Sequence, residues 1–401
     1  MNKRYEAIDK TIEYGMYAYI FLMFLSKGEG IRNILIFGCF VLWLMTLKHR
    51  KNLSLLKEPV SKWCWVYLGT VIISALFSID PLYSLKELRD DPLKFAFLFP
   101  VITTVISDEK KIKKTVSVCF FALIFIVTAA YYSYMVYDLE MLKPNTALVH
   151  AWHGRFGRYL CLLMPFSFIL YFILKRRDLK IILTFLLGAS VFALLLSTSR
   201  TGYAAFIIIV LVWSYHLSKK TVINVKNAVV LILTVFILSG VSAYFIFPDV
   251  SARIDTSGTH IYDLNERTQI WRSAGHAIKQ RPLTGWGYGD RIFHQEEPYT
   301  ETPYIEPPVK GPHNVFIQIA FHQGILGLIP YVLLLSIAVA TFWKAARDST
   351  GIKSYMLVAC VSIVIGNFIV QNMLSFSEFN HLAVVLGLGM AAKGTDENSH
   401  S

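Results

Sequence analysis

The amino-acid sequence predicts an all-α, polytopic integral membrane protein with about twelve transmembrane helices and one large outer loop. Charge is scarce. The 401 residues are 55% hydrophobic and only 16% charged, where a soluble domain carries about 25% charge. Apolar runs recur at lengths near the roughly 20 residues a helix needs to cross a bilayer. Basic residues gather in every second connection between those runs, which is the pattern that marks the cytoplasmic side of a membrane protein.

Taken in order, the apolar runs place helices at about 12–26, 31–47, 62–78, 93–107, 115–137, 157–174, 180–198, 201–217, 226–247, 314–343, 354–371 and 377–392. Connections 48–62, 108–114, 175–180, 218–226 and 344–353, with both chain ends, hold 23 of the 39 Lys and Arg. Both termini are therefore expected in the cytoplasm. The organisation reads as nine N-terminal helices in 1–247, an outer loop in 248–313, and three C-terminal helices with a short tail in 314–401. Met1–Lys10 is polar, and no A-x-A-like site follows the run Ile12–Ser26, so no cleavable signal is expected. The five cysteines all fall inside apolar runs without metal spacing and read as small core residues.

The outer loop is the most polar part of the chain. Within it, Leu264–Lys279 is periodic: Ile270, Trp271, Ala274, Ala277 and Ile278 share one helical face, and Asn265 is placed to cap it. The segment is too polar to span and is expected to lie on the membrane or to cap the helices beneath. Arg281-Pro282 ends it, Gly285, Gly287 and Gly289 form a turn, and Glu296–Pro312 reads as an extended, mobile lid.

Four places could carry chemistry. His313-Asn314 follows Gly311-Pro312 and precedes a long apolar run, so Pro312 is expected at the first helical position with His313 at the helix N-terminus. The helix dipole there favours a neutral imidazole able to accept a proton. Gly324 and Gly327 are expected on the same face, allowing a neighbouring helix to approach. Arg200, in Ser199-Arg200-Thr201-Gly202, stands between two apolar runs with almost no loop, which is costly unless it meets an anion or snorkels to the headgroups. Arg267 lies one turn before Trp271 on the apolar face, where a charge needs a partner, either a substrate or an outer-loop carboxylate. Arg155 and Arg158 open another outer helix end and read as contacts to lipid phosphates. Trp271, Trp286 and Tyr288 suit either sugar stacking or interfacial anchoring.

Several classes drop out. The net charge of +12 is spread through short connections between spans, so a nucleic-acid partner is not expected. No Walker P-loop is present, so no nucleotide is expected, and no Asp-x-Asp pair is present to hold a divalent metal. Carboxylates are nearly missing from the middle of the apolar runs, which argues against a proton- or sodium-coupled transporter, and polar clusters lie only at the outer face, which leaves a lipid-glycan flippase as the lesser alternative. What remains is a set of arginines and a histidine on the outer side, suited to a phosphate-bearing lipid.

The string His313-Asn314, nine residues, then Gly324-Ile325-Leu326-Gly327 resembles the histidine motif of the O-antigen ligase family, within a superfamily of O-antigen ligases and polymerases. Ser199-Arg200-Thr201-Gly202, Glu266-Arg267 with Trp271, and Arg281-Pro282-Leu283-Thr284-Gly285-Trp286-Gly287 resemble further family signatures, and Phe77-Ser78-Ile79-Asp80-Pro81 is a weaker match. The resemblance implies a bacterial inner-membrane glycosyltransferase with a periplasmic active site and no cofactor. It would move a glycan from undecaprenyl diphosphate to a sugar hydroxyl of lipid A-core in lipopolysaccharide biosynthesis, with inversion. Arg200, Arg267 and His313 would be catalytic, and Arg155, Arg158, Asn314 and Trp271 would bind substrate. The arginines would hold the diphosphate, and His313 would either deprotonate the acceptor hydroxyl or bind phosphate. The alternative the resemblance leaves open is a polymerase or another lipid-linked-glycan transferase.

Overall fold

The computed structural model describes residues 3–137, 142–220, 261–295, 297–299, 311–370 and 379–394. Thirteen α-helices longer than a single turn organise these residues. The N-terminal part contributes α1 (Lys3–Leu22), α2 (Glu29–Thr46), α3 (Pro59–Leu76), the short α4 (Pro81–Glu87), α5 (Asp91–Val105), α6 (Glu109–Tyr137), α7 (His153–Ile173), α8 (Arg177–Leu196) and α9 (Arg200–Lys219). The C-terminal part adds α10 (Ile261–Gln280), α11 (Val315–Asp348), α12 (Gly351–Ile363, continued by a π-helical stretch to Val370) and α13 (Phe379–Lys393). No strand occurs among the described residues, which hold only an isolated bridge between Asn145 and His150. The expected span at 226–247 and most of the expected lid lie outside the described residues.

Eight helices among the described residues are long and apolar enough to cross a membrane, and α13 is a shorter apolar helix. Their outward faces are greasy. Ile34, Phe37, Val41 and Leu44 form an exposed stripe on α2, as Ile325, Ile329 and Val332 do on α11. In water such stripes would aggregate; in lipid they are the expected exterior. Helix α12 is enclosed, packed against α7, α9, α11 and α13, while α13 runs along α5 and α11 along α3. Because lipid removes the hydrophobic drive between helices, close packing must hold the bundle. A Cβ on Gly389 would overlap the Phe342 ring, and one on Gly366 would approach the Ala205 carbonyl at 3.2 Å.

Hydrogen bonds sort the connections into two ends. At the basic end Arg50 meets Asp9 at 2.8 Å, Lys114 meets Glu13 at 2.8 Å, and Lys393 meets Glu58 at 2.8 Å. At the other end Ser26 N donates to Leu148 O, Leu142 N to Leu196 O, and Ile79 N to Trp286 O. The alternating connections read from the sequence thus converge on opposite ends of the bundle.

Candidate functional site

The outer loop closes onto a break in α11. Gly324 interrupts that helix with φ 62° and ψ −160°. In an unbroken helix Ile325 N and Leu326 N would donate to Phe321 O and His322 O. Here those amides donate to Pro282 O (2.8 Å) and Leu283 O (3.2 Å), while Trp286 N and Gly287 N donate to Phe321 O (2.9 Å) and His322 O (3.0 Å). Segment 282–287 is therefore spliced into the helix, with its backbone replacing the missing helical partners. A Cβ on Gly324 would lie 2.2 Å from Leu283 O, and one on Gly285 would lie 2.4 Å from His322 C, so glycine is required on both sides. This corrects the expectation that Gly324 and Gly327 open α11 to a neighbouring helix along one straight face.

Around the splice the packing is dense. Ser74 Oγ donates to His322 O at 2.6 Å, His322 Nδ1 lies 2.7 Å from Gly287 O, and Ile79 N donates to Trp286 O at 3.1 Å. The Phe77–Pro81 stretch is thus a third wall of the same joint. Above it, Ile270, Ala274 and Ala277 of α10 bury against Trp286, Phe293, Tyr299 and Phe321 in a second core. Trp286 Nε1 donates to Ala277 O at 2.8 Å, and the Arg281 guanidinium stacks 4.6 Å over the Trp286 ring. Trp286 and Tyr288 are buried, which corrects their expected role as sugar platforms or interfacial anchors. Glu297–Tyr299 forms a 3-10 turn with Tyr299 buried, so the first part of the expected mobile lid is packed down.

The structure adjusts the histidine motif. Asn314 is the N-cap: its Oδ1 accepts from Phe316 N (3.0 Å) and Ile317 N (3.2 Å), and α11 begins at Val315. Pro312 is therefore outside the helix, and His313 precedes the cap, exposed, with a left-handed φ of 48°. That conformation is costly for a residue with a Cβ and is typical of functional sites. Trp271 does not share the buried face of α10; it is 41% exposed, and its Nε1 donates to Pro312 O at 2.8 Å. This bond holds α10 against the residue preceding His313. Arg267 lies one turn earlier on α10; its side chain lies outside the described residues.

Arg200 is exposed and is the first residue of α9, whose cap is Ser199, with Oγ accepting from Gly202 N. Helix α9 packs on α7 and α12 rather than on α10. Arg158 is only 5% exposed inside the bundle, and its backbone carbonyl accepts from Asn367 Nδ2 at 3.3 Å, which corrects its expected place as a lipid-phosphate contact. Arg155, one turn before it, is exposed at the rim of a hollow.

That hollow holds about 560 Å³ at the end opposite the basic connections. Its walls come from the α1–α2 connection, the starts of α2, α5 and α7, the turn Tyr288–Asp290, and Asn380-His381 of α13. Burial raises the Tyr288 hydroxyl well above its usual range, so that side chain is a neutral phenol. Among the described residues no group of three or more His, Cys, Asp or Glu is placed to hold a metal ion.

The family model described as O-antigen ligase matches residues 183–332, a stretch that takes in Arg200, Arg267, His313 and both sides of the splice. The O-antigen ligase of Salmonella typhimurium is 21% identical over 333 residues, covering 80% of this chain and 80% of its own. Over that stretch the chain is similar to O-antigen ligases. The motifs read from the sequence now have physical causes. Arg281–Gly287 and Gly324 belong to one hydrogen-bonded joint, and Asn314 fixes where α11 starts. The hollow was missed because its walls come from several connections; the local signal was Asp90-Asp91-Pro92, an acidic pair at an outer helix start.

Proposed function

We propose that this ligase transfers a glycan from undecaprenyl diphosphate to a sugar hydroxyl of lipid A-core at the periplasmic face of the inner membrane. The observation that carries the reading is the Trp271–Pro312 bond, which seats the helix bearing Arg267 beside the residue preceding His313 within the matched family segment. In the reaction the bond between the anomeric carbon and the diphosphate oxygen breaks, and its electron pair stays on the diphosphate. The acceptor hydroxyl oxygen forms the new glycosidic bond from the opposite face, inverting the centre. Arg200 and Arg267 stabilise the charge growing on the leaving group, where one preorganised donor contributes about 3–4 kcal/mol. His313 takes the acceptor proton, or binds phosphate when protonated. Asn314 sets the height of His313 through its cap, and Trp271 holds the two elements in register.

The test is complementation of a ligase-null cell with His313→Ala, Arg200→Ala and Arg267→Ala. Each variant is expected to leave long lipid-linked polymer and bare core at normal protein abundance. Normal attachment of O-antigen by all three overturns the assignment. A null strain that instead carries single repeats on its core identifies a polymerase.

A further inference from the structure

The hollow beside the α11 joint deepens the ligase reading and rests on it, because a transferase needs a place for its acceptor as well as its donor. Its charge is wrong for a diphosphate. Glu29, Glu87, Asp90, Asp91 and Asp290 line it, against the cations Arg32, Lys94 and Arg155. Two of those cations already serve the protein. Arg32 donates to the carbonyls of Leu22 and Leu25 that end α1, and Lys94 stands 3.3 Å from Glu29 and 3.9 Å from Asp90. The remaining wall is rich in oxygen acceptors. Such a wall repels an anion and suits a ligand that presents many hydroxyl donors.

Two independent observations point to an occupant. His381 borders the hollow, is only 7% exposed, and neither ring nitrogen has a hydrogen-bond partner among the described residues. Buried polar groups are satisfied as a rule, so an imidazole left open in a cavity wall marks a missing ligand contact. The hollow also has a side opening. A second cavity of about 370 Å³ shares Glu29, Asn33, Asp90 and Lys94 with it and continues between α2 and α5 past Phe37, Leu93 and Phe97. Phe37 and Leu93 are exposed on the greasy exterior. A polar room that opens sideways onto an apolar wall matches a sugar headgroup carried on acyl chains.

We infer that this hollow is the acceptor site: sugar hydroxyls of the acceptor glycolipid bond Asn33, Asp91 and His381, and its acyl chains lie along Phe37, Leu93 and Phe97. The donor diphosphate is held elsewhere, by the arginines. The experiment uses the full chain in lipid nanodiscs. Binding is measured with core oligosaccharide freed of lipid A, and transfer is measured with intact lipid A-core and the undecaprenyl-diphosphate glycan. Asp91→Asn and His381→Leu are expected to weaken oligosaccharide binding and raise the acceptor KM at least tenfold, with the donor KM within twofold. If either variant fails to fold, Asn33→Ala, at an exposed position, gives the same readout. A raised donor KM, or an unchanged acceptor KM in the folded variants, overturns the acceptor site. Wild-type protein that transfers glycan but does not bind the freed oligosaccharide overturns it too. Wild-type protein that binds the oligosaccharide, with the expected losses in the variants, but transfers nothing to lipid A-core overturns the ligase reading alone.

Discussion

The two ends of the bundle use the same charged residues to opposite effect. At the basic end three carboxylates are matched by cations from other elements: Asp9 by Arg50, Glu13 by Lys114, Glu58 by Lys393, all at 2.8 Å. Lys220 Nζ adds donations to the carbonyls of Arg347 and Ser349. That end is stapled shut. At the other end Glu29, Glu87, Asp90, Asp91 and Asp290 line a hollow, and the His381 ring nitrogens have no hydrogen-bond partner among the described residues. The comparison teaches that charge at a membrane boundary is structural where carboxylates and cations from different elements pair off, and is open to a ligand where carboxylates outnumber the cations that face them.

The largest effects should fall at the open end. His313→Ala, measured as glycan transfer by protein of normal abundance, is expected to lower the rate by a hundredfold or more, in line with the loss of about 3–4 kcal/mol of transition-state stabilisation. A residual rate within tenfold of wild type would remove His313 from the chemistry. Next comes the joint. Gly324→Ala forces a side chain into a left-handed backbone and against the Leu283 carbonyl. It is expected to cost about 3 kcal/mol or more in thermal unfolding and to abolish transfer. An unchanged Tm would mean the splice is not formed in the membrane.

The closed end should respond in stability alone. Asp9→Asn removes the anion beside Arg50, a residue that also donates to Thr46 Oγ1 at 2.7 Å. Because Asp9 is partly exposed, the expected loss is about 1–2 kcal/mol, with transfer within twofold of wild type. A larger loss of activity than of stability would erase the distinction between the ends. The smallest effect is expected at Arg176→Ala, whose pair with Asp178 is exposed on both sides, and which should leave Tm and transfer unchanged.

Much of the fold was legible because hydropathy and charge are local signals. Among the described residues each expected apolar run overlaps a helix, although α1 begins at Lys3 and the short α4 was not read, and the period of Leu264–Lys279 gave α10 although that helix is polar. Features set by distance in space were not legible. Pro312 looked like a first helical residue, but the Asn314 side chain begins α11 later, because an asparagine cap satisfies amides that proline cannot. Gly324 looked like a packing glycine because nothing in its neighbourhood announces that residues some forty positions upstream complete its helix. Arg158 looked like an outer-boundary charge because the sequence does not say that the bundle folds over it. The candidate site was legible as a set of residue types, and the hollow beside it was not, since its walls come from separate connections.

The splice at Gly324 also constrains how this chain can change in sequence. Each strand of that joint supplies the amides and carbonyls the other lacks, so neither 282–287 nor 321–326 is complete by itself. A one-residue insertion on either side would put the four bonds out of register together. Chimeras that graft an outer loop from a distant relative therefore need to carry the matching turn of α11 with it.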